Sequence, residues 1–327
     1  MSQRPYRSLF WPIILISVGL IWFLANINVI PEFNAIALLN LWPLLLIALG
    51  LDLIFGRKSP VVGLLIGLAT VGAAIAILVA APNLVPTAQY TTETFTEPLA
   101  PATSAVVTID SASQPVSIHA LSDSANLFEG KIAHSGVMDF KVSGTNEKQI
   151  TLRHRDGPNE WPGFRIPTED LRWDIGLNPK VPIALTFDSA SGSIRMDLKG
   201  LQLSSLNVDG GSGSLNITLP ASSKAYTTVY NGASGSLTMD LPADTDLTVR
   251  LEGGSGSLNL GLPAGAAVRI EVNDNGSGSF SAPGGAARLS GKSSEDKGVW
   301  ETTGYSNAAH KILIVVEDMG SGSVSIH

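Results

Sequence analysis

Gly211-Ser212-Gly213-Ser214-Leu215-Asn216-Ile217-Thr218-Leu219-Pro220 decides the fold of this chain. Its tripeptide Ser-Gly-Ser recurs with the glycine at Gly192, Gly213, Gly235, Gly256, Gly278 and Gly322, in steps of 21, 22, 21, 22 and 44 residues. The last step is two periods, with one degenerate copy between. A fixed period of this size marks a stacked array, in which each unit buries its apolar face only against its neighbours.

Each copy reads as two short strands. After the glycine, Leu215/Ile217/Leu219, Leu237/Met239/Leu241 and Leu258/Leu260/Leu262 alternate with small or polar residues and run into Pro220, Pro242 and Pro263. Period-two alternation puts the aliphatics on one face and the intervening residues on the other. A second run follows each proline: Ala225/Thr227/Val229, Leu247/Val249/Leu251 and Val268/Ile270/Val272. Proline ends the first strand by withdrawing an N–H, and Ser-Gly-Ser supplies the corner, since glycine takes positive φ freely. Two strands and two corners per 21–22 residues predict a flat parallel β-solenoid with two facing sheets.

Working outward, Asp110-Ser111-Ala112-Ser113-Gln114-Pro115-Val116-Ser117-Ile118-His119 aligns with Asp188-Ser189-Ala190-Ser191-Gly192-Ser193-Ile194. The array is therefore expected to span 105–327, with an irregular cap or insertion at about 121–180. The chain stops on a rung, Ser321-Gly322-Ser323-Val324-Ser325-Ile326-His327, which leaves an open terminal edge for another chain or a loop. Residues 83–104, rich in proline and threonine, read as an extended, poorly packed linker.

Four residues before each corner glycine, or before its equivalent Gln114, stand Asp110, Asp188, Asp209, Asn231, Glu252, Asp274 and Asp318. A carboxylate there can accept the backbone N–H two residues on and hold the turn. Stacked about 4.8 Å apart, such carboxylates also repel, and a divalent cation along Asp110, Asp188, Asp209, Glu252, Asp274 and Asp318 would relieve that. The alternation of 21 and 22 residues is expected to stagger the column by one position.

Other chemistry is not signalled. There is no cysteine, so thiolate zinc sites, disulfides and cysteine nucleophiles are excluded. No Gly-x-Ser-x-Gly elbow, phosphate loop or dinucleotide fingerprint occurs in a strand-to-helix context. The five histidines (119, 134, 154, 310, 327) fall at no metal-ligand spacing, and His119 and His327 take equivalent outward positions. No catalytic residue, cofactor or resident metal is expected.

The N-terminal quarter is of another kind. Residues 1–82 carry six charges, Arg4, Arg7, Glu32, Asp52, Arg57 and Lys58, whereas the rest of the chain carries 17 basic and 26 acidic side chains. An acidic domain with scattered bases argues against a nucleic-acid partner. Apolar stretches at about 9–30, 35–55 and 61–81 are each long enough to cross a hydrocarbon core of about 30 Å, predicting three transmembrane helices. Trp11, Trp22 and Trp42 fall near their ends. Basic residues before the first stretch and between the second and third put the N-terminus in the cytoplasm and the C-terminal domain outside it. Asp52 reads as a carboxylate reaching the interface or pairing with Arg57. Gly63, Gly67 and Gly72 offer a small-residue face for another helix.

Two resemblances emerge from these residues. Leu41-Trp42-Pro43-Leu44-Leu45-Leu46-Ile47-Ala48-Leu49-Gly50-Leu51, ending in Gly56-Arg57, resembles the membrane region of LiaF/LiaI-like bacterial proteins, and Phe10-Trp11-Pro12-Ile13-Ile14-Leu15-Ile16-Ser17-Val18-Gly19-Leu20 looks like a first copy of the same unit. Trp173-Asp174-Ile175-Gly176-Leu177-Asn178-Pro179-Lys180-Val181-Pro182-Ile183-Ala184-Leu185-Thr186-Phe187-Asp188, followed by the Ser-Gly-Ser rungs, resembles the toast-rack (putative adhesin) β-solenoid domains of bacterial cell-envelope proteins. Many of those have Gly-Ala-Gly-Asp at the corner, where this chain has Ser-Gly-Ser. The resemblance implies a non-enzymatic accessory or regulatory component of envelope-stress sensing at the bacterial cytoplasmic membrane, with a membrane sensor histidine kinase or other envelope protein as partner. A structural or adhesive module that binds envelope polymer, or itself through the C-terminal edge, is the alternative. A carbohydrate-active β-helix enzyme is a third reading, and the outward residues, mostly Thr, Asn and Ser, do not favour it.

Overall fold

The structure is a computed structural model, and it describes residues 9–26, 41–56, 59–80, 91–155, 172–291 and 296–327. The chain divides into two compact units, one of helices and one of strands.

The helical unit holds α1 (Phe10–Asn26), α2 (Trp42–Phe55) and α3 (Pro60–Ala80). Proline opens α2 in its first turn, where a missing N–H costs nothing. Phe10, Ile14 and Ala48 form a small buried cluster with Leu49, Ile66 and Val71 against it. The expectation of three membrane-spanning helices is corrected here. Helices α1 and α2 are 17 and 14 residues long, short of the roughly 20 that a bilayer core requires. Among the described residues no helix is long and apolar enough to cross a membrane. Asp52 is buried at the end of α2, and Arg57, its expected partner, lies outside the described residues.

The β unit begins with β1 (Thr91–Pro98), β2 (Ser104–Asp110), β3 (Val116–Ala120), β4 (Asn126–His134), β5 (Val137–Ser143), β6 (Glu147–Arg155) and β7 (Trp173–Leu177). Two-strand rungs follow: β8 (Pro182–Ser189) with β9 (Ser193–Asp197), β10 (Gln202–Gly210) with β11 (Ser214–Thr218), and β12 (Tyr226–Gly232) with β13 (Ser236–Asp240). Next come β14 (Leu247–Glu252) with β15 (Ser257–Gly261), and β16 (Val268–Val272) with β17 (Ser279–Ser281). A hairpin, β18 (Ala287–Ser290) and β19 (Gly298–Glu301), precedes the final rung, β20 (Ile312–Asp318) with β21 (Ser323–Ile326).

These strands form two facing sheets, ordered β1-β4-β7-β3-β9-β11-β13-β15-β21-β17 and β18-β19-β16-β20-β14-β12-β10-β8-β2-β6-β5. The repeat rungs pair in parallel and in register, so Ile194, Leu215, Leu237, Leu258, Val324 and Phe280 form one column. On the facing sheet the column reads Leu185, Leu206, Thr228, Val249, Ile314 and Ile270. Both point into a single apolar core, and each fully buried aliphatic side chain contributes about 1.5–3 kcal/mol.

The expected solenoid is present, with four differences. First, Thr91–Pro98 is not part of a loose linker: it pairs antiparallel with Asn126–His134 along its length. Buried Lys148 pins its end, pairing with Glu97 and donating to the Pro98 carbonyl at 2.6 Å. Second, the irregular segment closes one end of the stack: β4 and β1 extend one sheet, β6 and β5 the other. Phe140 bridges them, its ring 5.1 Å from that of Phe95 and 5.5 Å from that of Phe128.

Third, in β12 the interior takes Tyr226, Thr228 and Tyr230, and the expected inward set Ala225/Thr227/Val229 is displaced to the outside. Register with Leu247, Val249 and Leu251 sets this choice. It buries two large rings, and Tyr226 donates its hydroxyl to the Pro220 carbonyl at 2.8 Å.

Fourth, the C-terminal rung is not an edge. β20 lies between β14 and β16, and β21 lies between β15 and β17. The last rung therefore inserts between two rungs made earlier, and the segment read as a degenerate copy is the hairpin β18–β19, antiparallel on β16. Trp300 of this hairpin packs 4.7 Å from Phe280, with the Arg288 guanidinium 4.8 Å over its ring, closing that end. An open edge at Val324 is thereby corrected: the side chain is buried between Leu258 and Phe280.

Candidate functional site

The corner where the two sheets meet gathers most of the residues singled out by the repeat. At Gly213, Gly235, Gly256, Gly278 and Gly322 an added Cβ would fall on the backbone carbonyl oxygen of Gly192, Gly213, Gly235, Gly322 and Gly256 respectively, far inside the 3.0 Å that real Cβ atoms keep. The corner glycines are therefore required by the close approach of successive rungs. Positive φ, the reason expected, applies only to Gly192 among the six. The same oxygens accept the next serine's N–H: Ser214 to Gly192 at 3.0 Å, Ser236 to Gly213 at 3.0 Å, Ser323 to Gly256 at 3.1 Å and Ser279 to Gly322 at 3.2 Å. A side chain at these positions would thus push apart the hydrogen bonds that hold the stack.

The acidic column is in register and is not staggered. Asp110 pairs with Asp188, Asp188 with Asp209, Asp209 with Asn231, Asn231 with Glu252, and Glu252 with Asp318. Register shifts at Leu203/Ser205 and Leu251/Glu252 absorb extra residues within the strands. Three carboxylates hold their own turns, accepting N–H bonds from Ala112 to Asp110 (3.2 Å), Gly276 to Asp274 (3.0 Å) and Gly320 to Asp318 (2.8 Å). Neighbours absorb more of the charge: Asn231 donates to Asp209 at 2.8 Å, and Lys297 pairs with Asp274 at 2.8 Å. The ammonium of Lys297 and the Gly276 N–H hold Asp274 below the ordinary carboxylate range. Arg153 stands opposite Asp110 in the register. Among the described residues no three His, Asp or Glu side chains converge to hold a metal.

Asp188 bears the remaining strain. Partial burial, then the flanking carboxylates Asp110 and Asp209, push its pKa up. The folded state therefore holds this proton more tightly than the unfolded chain. The stability linked to that proton is fully present below the unfolded pKa of about 3.9 and is lost as pH rises through the raised folded pKa. Asp188→Asn is expected to stabilise the protein at pH 7 by less than about 1 kcal/mol, because the carboxylate faces solvent. The gain should shrink as the pH is lowered toward 4. Urea unfolding at several pH values checks this, and a gain that grew on acidification would contradict it.

Of the helix glycines, Gly67 is used within the chain: a Cβ there would lie 3.3 Å from Ile13 Cγ2 and 3.6 Å from the Phe10 carbonyl oxygen. Gly63 is buried, its Cα 3.4 Å from where a Cβ on Gly56 would fall. Gly72 has open space around it. The small-residue face is thus divided, and its outer part is Gly72. His119 faces outward, Nδ1 3.3 Å from Asp174, and His327 is exposed.

Sequence reasoning missed Lys148, whose partners Glu97 and Pro98 lie about fifty positions away. It also missed the ion-pair group of Arg269 with Glu271 (2.8 Å) and Glu301 (2.9 Å) on the outer face. Only an alternating Arg-x-Glu hinted at the latter.

A two-sheet β-solenoid with a glycine-packed corner, continuous in sequence with an apolar helical region, defines a class of repeat protein built on an apolar helical N-terminal segment. Two family models divide the chain in the same way: the LiaF transmembrane domain matches residues 10–97, and the N-terminal domain of toast_rack (DUF2154) matches residues 86–240. The chain belongs to the LiaF-like toast-rack proteins. None of the curated proteins matches it. Among solved structures, a putative cell adhesion protein from Clostridium sporogenes ATCC 15579 is similar at a TM-score of 0.51 and 17% identity, covering 73% of this chain and 99% of that one. A putative adhesin from Bacteroides fragilis NCTC 9343 matches at a TM-score of 0.30 and 10% identity, over 74% and 99% of the two chains. The first likeness shows a shared fold. The LiaF domain marks the protein as membrane-associated, and neither family is an enzyme family.

Proposed function

We infer that this protein is a non-enzymatic accessory or regulatory component of envelope-stress sensing, held at the bacterial cytoplasmic membrane and acting through protein–protein contacts. The observation that carries the reading is the overlap of the two family domains at residues 86–97, most of which is strand β1. The chain that leaves the apolar region is laid into the solenoid and anchored there by Lys148. Strand β1, which follows the apolar region in sequence, is thereby the part of the β unit placed to carry an event there toward the N-terminal domain. The distribution of Arg4, Arg7, Arg57 and Lys58 supports a cytoplasmic N-terminus and an extracytoplasmic β unit. The partner implied by the LiaF likeness is a membrane sensor histidine kinase.

The test is crosslinking of the full-length protein in cells with identification of the captured proteins. A histidine kinase is expected with the wild type, and capture should fall with Gly72→Leu, which fills the open part of the glycine face. Gly67→Leu, which strikes α1 of the same chain, should lower folded protein as well. Kinase-free capture with wild type, or capture indifferent to Gly72→Leu, counts against the reading.

The alternative, an adhesive module, is supported by the outer face of one sheet. Ser214, Asn216 and Thr218 stand in register with Ser236, Thr238 and Asp240, and Asn259 with Ser325, a flat array of short polar side chains. The likeness to the putative cell adhesion protein of Clostridium sporogenes fits that reading.

A further inference from the structure

Because β20 must enter the stack between β14 and β16, the chain from Glu301 to Ile312 crosses over the Val268 end of β16 to reach its place. That crossing is tightly held. Thr302 Oγ1 accepts the Val268 N–H at 2.8 Å and donates to the Ala266 carbonyl at 3.0 Å. Gly304, at φ +86°, turns the chain into a short 3-10 segment, Tyr305–Asn307. At the far end the Lys311 N–H donates to Asp246 at 2.9 Å, and the Lys311 carbonyl accepts the Leu247 N–H at 3.0 Å.

The crossing walls off a hollow of about 330 Å³ on the outer face of the sheet. Its floor includes Thr227, Thr248 and Leu313, adjacent in register on three successive strands. Tyr305, Lys311 and Asp246 stand around it, with the Lys311 ammonium 5.7 Å from the Tyr305 ring centroid and 3.1 Å from the Ser306 carbonyl. Among the described residues the Thr227 and Thr248 hydroxyls make no hydrogen bond. Burial pushes the Tyr305 phenol up, so at neutral pH it is a protonated donor. His310 and Thr245, chain neighbours of Lys311 and Asp246, line an adjoining hollow of about 230 Å³ with Pro242, Pro263 and Ala266.

We propose that this hollow binds one pyranose ring of an uncharged glycan, with the adjoining hollow taking the next unit of the polymer. The Lys311 ammonium and Asp246 carboxylate balance, which disfavours a charged ligand while offering both donors and an acceptor. An aromatic ring beside Leu313 gives the C–H face of a sugar an apolar wall. Rungs stand about 4.8 Å apart, close to the separation of equatorial oxygens on alternate carbons of a pyranose, so the two threonine hydroxyls can meet two such oxygens at once. The site is pre-formed by the crossing, so little ordering opposes binding. It does not depend on the kinase contact inferred above, and either can fail alone.

Saturation-transfer NMR on the full-length protein, in a detergent without a sugar head group, tests it with chitotetraose, maltotetraose, cellotetraose and the methyl hexosides. At least one tetrasaccharide is expected to bind in the millimolar range or tighter. Tyr305→Ala should weaken it about tenfold or more, as loss of an aromatic anchor does, while Tyr305→Phe, which keeps the ring, should change it little. Thr248→Val is a second, milder variant should Tyr305→Ala fold poorly, and it too should weaken binding. A tetrasaccharide that outbinds its methyl hexoside supports a polymer as the source. Equal binding of the two restricts the site to a free sugar and overturns the polymer part. Absence of transfer to every probe, or binding indifferent to both Tyr305→Ala and Thr248→Val, overturns the site.

Discussion

Gly256→Ala is expected to destabilise the β unit by about 3 kcal/mol or more, lowering its melting temperature by roughly 6–12 °C. A single methyl group has this effect because its place is already taken. The Cβ would fall on the Gly235 carbonyl oxygen, and backbone cannot swing aside as a side chain can. That rung cannot move alone either, because the Gly256 carbonyl itself accepts the Ser323 N–H at 3.1 Å. Gly284→Ala is the control. Nothing lies within 4 Å of its Cβ and its φ is ordinary, so restricting the unfolded chain should leave stability unchanged or raise it by about 0.4–1 kcal/mol. Thermal and urea unfolding of the two variants side by side decide the matter. Equal effects would mean that the corner glycines serve backbone freedom and not the approach of rungs.

Val324→Asp should be more severe. An exposed terminal edge would tolerate a charge there and merely associate less. In the structure Val324 is buried, with Leu258 on one side in the register and Phe280 on the other. A carboxylate in that column has no partner, and the expected loss is about 4 kcal/mol or more. Val324→Ala, which removes two methyl groups without adding charge, should cost about 2 kcal/mol. Urea denaturation read together with size-exclusion chromatography separates the two views. An aspartate that changes only the association state, and leaves the midpoint where it was, would restore the edge.

The solenoid was legible because its signal is periodic. Leu215, Leu237 and Leu258 repeat at intervals that only a stack explains, and their observed register follows directly. Pairing that joins distant segments leaves no such trace. Nothing near Ile312 says that its neighbours are Leu247 and Val268. Counting 44 residues between Gly278 and Gly322 suggested a missing rung, when the chain had in fact doubled back. The second run of the β12 rung misled for a different reason. Ala225/Thr227/Val229 satisfies an apolar alternation, but Tyr226 and Tyr230 bury far more surface once inside. In the N-terminal region, hydropathy located the helices well, but the second stretch, read as 35–55, is helical only from Trp42 among the described residues. At the corner the sequence named the right residues and the wrong cause. The acidic column was visible as a pattern, but the bonds from Asn231 and Lys297 that ease its repulsion depend on stacking. Tyr305 and Lys311, in a stretch without repeat character, gave no sign of the hollow they enclose.

The inserted final rung has a bearing on how the polypeptide is made. Synthesis delivers the rung of β16 and β17, then the hairpin after it, before the residues that must sit beneath them exist. Earlier rungs can zip up in the order in which they emerge, each onto its predecessor. The last part of the stack has to wait, with the strands from Val268 to Glu301 held off from Leu247 until Ile312 and Val324 arrive to fill the gap. Assembly at that end therefore waits on β20 and β21, and until they insert the chain keeps an unfilled slot between Leu247 and Val268.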